Sequence, residues 1–376
     1  MDFSITEDQT MLQDSVAKFI ANDYDFDSRQ EHAATELGFS RERWTEFAEL
    51  GWTAVPFSEE DGGLDGGAVE LMLLMEQFGK GLVIEPYLPC VVLAGGVLKK
   101  AGTDAQKATW LAPLIEGSAL GALAFVEPQS RFDLNNVATT ATKDGDAYVL
   151  NGRKAVVLNG GAADTLVIAA RTSGEQSDTD GISLFVVDAT ADGITRNAYP
   201  TVDARQAAEI ELNDVRISAE QLLGDENAGF ATLQAVIAEA TIAICAEAVG
   251  IMQTLNYKTL EYTKSRVQFG APIASFQALQ HRMVDMFVIY EQSRSLLLHA
   301  VMKYDDGDMD EALAAISALK IQIGTEGRKL GEEAVQLHGG MGVTWELDVA
   351  HYFKRLTMID TLFGNADYHL DNYPLD

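Results

Sequence analysis

Cysteine is almost absent. The chain of 376 residues holds only Cys90 and Cys245, each in an apolar context. Two such residues read as buried free thiols in a reducing compartment, not as a disulfide framework. No Cys and His residues cluster at metal-ligand spacing. Positive charge is short, with 27 Lys and Arg against 57 Asp and Glu, a net charge of −30. That balance argues against DNA, RNA or an anionic membrane as the main partner, and favours solubility. No uncharged apolar run reaches the ~18 residues of a membrane span. The start, "MDFSITEDQ", is acidic and polar, unlike a signal peptide, so a cytoplasmic location is expected. No GxGxxG follows a strand-like run, which leaves a Rossmann dinucleotide site unsupported. No internal repeat or low-complexity segment is evident.

What is present is apolar material, 47% of the chain, ample for a large core. Its length suggests two or three folding units at roughly 100–200 residues each. Residues 1–118 read as a helical domain. Thr6 and Gln9 form a capping box, and Met11, Leu12, Val16, Phe19 and Ile20 follow at helical period. "SEEDGGLDGG" at 58–67 interrupts as a glycine loop, and "AVELMLLMEQFGKGL" resumes a helix. Residues 119–222 change texture to short runs rich in β-formers, punctuated by Gly, Asn and Asp. Asn151-Gly152, between "AYVL" and "RKAVVL", predicts a hairpin turn, and the whole segment predicts a small β-barrel or sandwich. From 223 to 376 long helical patterns return, and Gly339 is placed to end one of them.

Several motifs then occur in a fixed order. They are "LGW" at 50–52, "EEDGG" at 59–63, Glu127-Pro128, "NGRK" at 151–154, "SRVQFGAPIASFQALQHRMVDM" at 265–286 and "QLHGGMGVTWE" at 336–346. In this order, across helical, β and helical segments, the chain resembles the acyl-CoA dehydrogenase family over nearly its whole length. The resemblance implies a mostly α fold with a central β-domain: an N-terminal helical domain, a β-barrel and a C-terminal four-helix bundle. It implies FAD shared across a subunit interface, the ring held by one β-domain and the adenosine end by a neighbour. Arg266 would hold the pyrophosphate through its forked donors. Gln268, Phe269 and Gln277 would lie beside it, in a helix-ending turn capped by Phe269-Gly270. Gln336, Gly339 and Gly340 match the family's adenosine-side turn, and Asn365 a flavin-side one. His338 reads as a structural turn residue.

Departures from the family pattern are grouped. Where the family reads TEPxxGSD this chain reads "VEPQSRFD", with Val126 and Phe132 in place of hydroxyl residues. Where a Trp-Ile-Thr triplet would cover and bond the ring, Val156, Val157 and Leu158 stand. The family's reaction removes an α-proton from an acyl-CoA thioester with a carboxylate while a hydride leaves the β-carbon for the flavin. Of the two familiar base positions, one is Phe363 and the other Ala240, with Thr241 where an arginine often follows. Glu239, Asp360 and Asp367 are the nearby carboxylates, but one residue turns a helix by about 100°, so Glu239 would face elsewhere.

The resemblance therefore leans toward the paired enzymes of the family, the small subunit of the pimeloyl-CoA dehydrogenase type and the α2β2 steroid side-chain type. The implied partners are an acyl-CoA substrate, a homologous partner subunit or a homo-tetramer, and an electron-transfer acceptor protein. Two alternatives stay open: a self-sufficient homo-oligomer with a displaced base, and a non-catalytic interaction subunit.

Overall fold

The computed structural model describes residues 5–374. In chain order the helices are α1 (Glu7–Asp23), α2 (Phe26–Ala33), α3 (Arg41–Glu49), α4 (Ala68–Gly81), α5 (Gly96–Ala101), α6 (Asp104–Gln106) and α7 (Ala112–Ile115). Strands β1 (Gly121–Ala124), β2 (Thr140–Asp144), β3 (Ala147–Leu158), β4 (Thr165–Arg171), β5 (Ile182–Asp188), β6 (Ile194–Pro200), β7 (Gln206–Ser218) and β8 (Leu222–Leu223) follow. Helix α8 (Gly229–Ser265) leads to a two-stranded ribbon, β9 (Val267–Gln268) and β10 (Ala271–Pro272). The chain ends in α9 (Gln277–Asp305), α10 (Met309–Gln322), α11 (Arg328–His338), α12 (Val349–Thr361) and α13 (Ala366–Asp371).

The local signals act as their chemistry requires. Thr6 accepts from the Gln9 N–H while the Gln9 side chain accepts from the Thr6 N–H, the reciprocal bonds of a capping box. Helix α11 ends at His338, and Gly339 at φ 60°, ψ −140° turns the chain out of it. One local expectation is corrected. Asn151-Gly152 is not a hairpin turn but lies inside β3, which pairs with β2 over Ala147–Asn151 and with β7 from Ala147 to Leu158. The turn between β2 and β3 falls six residues earlier, at Gly145 with φ 63°. Gly152 sits at a register shift in the β3–β7 ladder, and a Cβ there would come within 2.7 Å of the Thr139 backbone. The glycine serves a close strand approach, which a dipeptide pattern cannot distinguish from a turn.

Contacts gather the chain into two compact units that do not follow chain order. One comprises Met1–Gln30, Ala68–Val83 and Thr241–Asp376; the other comprises Glu31–Gly67 and Ile84–Ala240. In the first unit α1 packs on α4, α9 on α10, α11 on α12 and α10 on α13. Helices α4 and α8 approach at Gly79 and Gly250, where any side chain would collide with the Glu247 and Glu76 carbonyls. Below them the Arg355 guanidinium donates two bonds to the buried Glu247 carboxylate, at 2.7 and 2.6 Å.

In the second unit an eight-stranded mixed sheet runs in the order β6-β7-β3-β2-β4-β5-β8, with β1 parallel to β4. It curls around an apolar core that includes Tyr148, Leu150, Leu166, Phe185, Ile210 and Val215. By length and composition α8 alone, among the described residues, could cross a membrane, but 89% of its apolar window is already covered by protein. Its acid Glu247 is satisfied there by Arg355, so it reads as a core helix.

Candidate functional site

The first unit brings together most of the residues expected to hold the adenosine end of a flavin. Helix α8 stops at Ser265, and β9 and β10 form a ribbon whose turn is Phe269 at φ 54° and Gly270 at φ 80°. The expected helix-ending cap is thus the tip of a small hairpin, four residues beyond the end of the helix. Tyr262, one turn before Arg266, stacks on His338 at 4.4 Å and donates to the His338 carbonyl at 3.2 Å. That contact ties the end of α8 to the turn carrying Gln336, Gly339 and Gly340. An Arg282–Glu333 ion pair ties α9, which starts at Gln277, to α11.

The side chains at this end are presented outward. Arg266, Gln268, Gln277 and Gln336 are all exposed, and Phe269 is 94% exposed. Among the described residues Arg266 has no carboxylate within 4.0 Å, in a chain where acids outnumber bases 57 to 27. Cβ atoms added at Gly339 and Gly340 would meet nothing within 4 Å, so the turn that follows α11 is open. His338 is buried, with Nδ1 2.8 Å from the Ala334 carbonyl, and burial lowers its pKa. It is held as a neutral structural ring.

The turn after α12 carries Phe363, at φ 57°. Its carbonyl accepts from His369 Nε2 at 3.1 Å. Gly364, at φ 101°, has no room for a side chain beside Tyr368 and His369. Asp360 uses Oδ1 to accept the Ala366 N–H at 3.0 Å, and Asn365 caps α13 by accepting the Tyr368 N–H at 3.0 Å. Asp367 is exposed in the first turn of α13, where a carboxylate suits the helix N-terminus. Each carboxylate or amide offered here as a base or flavin contact therefore has a local structural role.

In the second unit Ala240 is fully buried, and Glu239 lies 3.7 Å from Lys100 in an ion pair. The motif segments around Val126 and Val156 are tied together by a pair that sequence reasoning did not connect. Lys154, fully buried, donates to Glu127 Oε1 at 2.6 Å. The same carboxylate accepts from Gln129 Nε2 and from the Ala138 and Thr139 N–H groups. Burial pushes the Glu127 carboxyl up, but Lys154 and these bonds outweigh it and hold it at about 2. The signal was partial: the acid Glu127 and the base Lys154 each sit in a family motif next to apolar β-forming residues, but Arg153 beside Lys154 offers a second base.

Beside that pair, Val156 has φ 51° at a bulge between Lys154 and Val157 and is 42% exposed. A β-branched residue in this conformation is an outlier that persists only where the surroundings enforce it. Ala155 donates to the Val126 carbonyl at 2.9 Å, so the two motif segments meet at their backbones.

The comparisons agree with this architecture. The chain matches the acyl-CoA dehydrogenase N-terminal domain over residues 6–118, the middle domain over 122–215 and the C-terminal domain over 227–373. It is 32% identical over 388 residues to the short-chain specific acyl-CoA dehydrogenase of Megasphaera elsdenii, covering 98% of each chain. PigA, solved with FAD and proline, superposes with a TM-score of 0.92 at 29% identity, covering 99% of this chain and 97% of that one. The ChsE4-ChsE5 complex of Mycobacterium tuberculosis has a chain that superposes at 0.89 with 25% identity, covering 99% and 97%. Fold and site define a flavin-dependent oxidoreductase. The chain belongs to the acyl-CoA dehydrogenase family, and its cofactor is FAD.

The two halves of the site differ in fit. At the adenosine end an unpaired arginine, three exposed amides and an open glycine turn supply what a pyrophosphate and an adenosine require. On the β-domain, Val126, Phe132, Val156 and Leu158 carry no side-chain donor or acceptor for the polar edge of a flavin ring.

Proposed function

We propose that this chain is the base-lacking subunit of a hetero-oligomeric, FAD-dependent acyl-CoA dehydrogenase that desaturates an acyl-CoA thioester. One observation carries the reading: both positions where the family places its base, Phe363 and Ala240, hold side chains that cannot take a proton. FAD, when bound, supplies the hydride acceptor. This chain's part is to lend Arg266, Gln268 and Gln336 to the adenosine end of a FAD whose ring rests on a partner subunit. Such an assembly is a tetramer of two homologous chains in the cytoplasm, reoxidised by an electron-transfer protein. The chain's three-part division at 1–118, 119–222 and 223–376 belongs to the same reading. The ChsE4-ChsE5 likeness supports a mixed assembly, since that structure pairs two different chains.

A second reading has its own observation. The left-handed bulge at Val156 persists without polar side chains, as it would if backbone groups alone held a ring. The chain would then be a self-sufficient homo-oligomer. The deciding experiment is turnover of acyl-CoAs of several chain lengths by the pure homomer loaded with FAD. Little or no activity is expected. Robust turnover that disappears on Glu239→Gln would replace the first reading with the second.

A further inference from the structure

The turn that carries residue 363 is braced far more heavily than its exposed neighbours, and one buried side chain does most of the bracing. Lys320, on α10, is fully buried. Its ammonium donates to the carbonyls of Ile359 at 2.8 Å, Asp360 at 2.9 Å and Gly364 at 2.7 Å. Those three carbonyls flank Phe363 on both sides. The three N–H bonds of one ammonium are thus matched to three carbonyls at and just beyond the end of α12, where backbone acceptors lack a full set of helical partners; the Ile359 carbonyl also accepts the Leu362 N–H at 3.3 Å.

The rest of α10 and its continuation are shaped around the same turn. Just past Lys320 the helix rewinds as a π-turn over Ile323–Gly327, a local form common at functional sites. Gly324 in that turn has no room for a side chain: a Cβ would collide with Asp360 Oδ1 and lie 2.9 Å from Ala366 Cβ. On the other side, His369 bridges the Phe363 carbonyl and the Ser317 hydroxyl, each at 3.1 Å. A carbonyl only accepts, so Nε2 is the donor and Nδ1 receives the hydroxyl.

We propose that Lys320 is a positioning residue of this dehydrogenase, a three-carbonyl clamp that fixes the backbone presenting residue 363. The clamp acts on the backbone and not on the Phe363 side chain. It therefore holds whatever residue stands at 363, and goes beyond the question of whether this chain carries a base. The charged and titratable groups facing the ammonium are the Cys245 thiol from α8, Asp360 from α12 and His369 from α13. Burial holds the Cys245 thiol up at about 12 and His369 down at about 4, so both are neutral near pH 7. Burial also lowers the Lys320 ammonium to about 8, against Cys245 and Asp360, which raise it.

The test is amide hydrogen exchange on the full chain, with Lys320→Met, Lys320→Arg and Gly324→Ala. Lys320→Met should speed exchange of peptides spanning 359–366 by tenfold or more while α9 peptides stay as they are. Lys320→Arg, which keeps several donors, should restore most of the protection. Gly324→Ala should loosen the same peptides with the lysine intact. A titration signature goes with this. The folded pKa lies below the ordinary lysine value, so the stability of the native chain should rise with pH from about 8 toward 10.5. That rise should be absent from Lys320→Arg, read as the pH-dependent difference between their urea midpoints. Unchanged exchange at 359–366 in both Lys320→Met and Gly324→Ala would overturn the proposal. So would equal loss of protection across all helices. Should Lys320→Met fail to fold, Gly324→Ala and the pH difference decide the matter.

Discussion

Arg266 is the residue on which the shared-cofactor reading turns. It stands exposed and without an ion pair in a strongly acidic chain. An unpaired guanidinium there is worth most to a dianionic pyrophosphate, because both forks of the donor can be used. Arg266→Ala should therefore weaken FAD retention in the active assembly about ten- to a hundredfold, equivalent to ~1.5–3 kcal/mol for a charge-assisted contact. Arg266→Lys should recover part of this, since a point charge lacks the fork. Fluorescence titration of the apo-assembly with FAD measures both. Equal affinity in all three proteins would remove the basis for a lent half-site. Phe363 is the complementary case. Its side chain has no proton chemistry, yet its carbonyl and those of Asp360 and Gly364 are engaged, so the backbone conformation is held independently of the side chain.

At the scale of elements, β3 shows how tertiary pairing overrides a local pattern. Asn-Gly flanked by β-formers normally reverses a chain, because both residues tolerate positive φ. Here β2 and β7 lie on either side of β3, β2 pairing with it as far as Asn151 and β7 through Gly152 to Leu158. Extending the strand through Gly152 satisfies more backbone groups than a turn would, and the glycine's second property, its lack of a side chain, is the one used. Gly152→Ala would press a methyl into the Thr139 backbone and should cost about 1–3 kcal/mol of stability, the range for overpacking a close contact. Urea unfolding checks it, and a change within experimental error would show that β2 can move aside. The same strand then breaks regularity at Val156, over the buried Lys154–Glu127 pair. Truncating either member of such a pair strands a charge, so the pair holds the bulge and the "EP" segment in one arrangement.

For the whole molecule the consequence is a count. In the proposed hetero-oligomer each FAD takes its ring-holding half from the partner chain and its adenosine-holding half from this one. The purified active complex should hold about one FAD for every two family chains. Flavin absorbance against protein concentration, with chain masses checked, reads this directly. A homo-oligomer with one firmly held FAD per chain would favour the backbone-held ring instead.

How much of this was legible in the sequence differs by kind of evidence. Helix ends with their own chemistry, such as Thr6 with Gln9 and Gly339 after His338, were readable because the partners lie within a few residues. The family and its cofactor were readable because ordered motifs survive as strings. The two contact units were not, since Glu31–Gly67 leaves the first helices to join residues beyond Ile84, a choice made by long-range packing. The sequence by itself determined the fold class, the acidic surface and the absence of a proton acceptor at positions 363 and 240. Only the tertiary structure decided which polar groups meet: Glu127 with Lys154, Glu247 with Arg355, and Lys320 with the turn that carries Phe363. A buried charge must find its partner, but a partner 27, 108 or 44 residues away leaves no periodicity to read, and only the packed core brings the two within bonding distance.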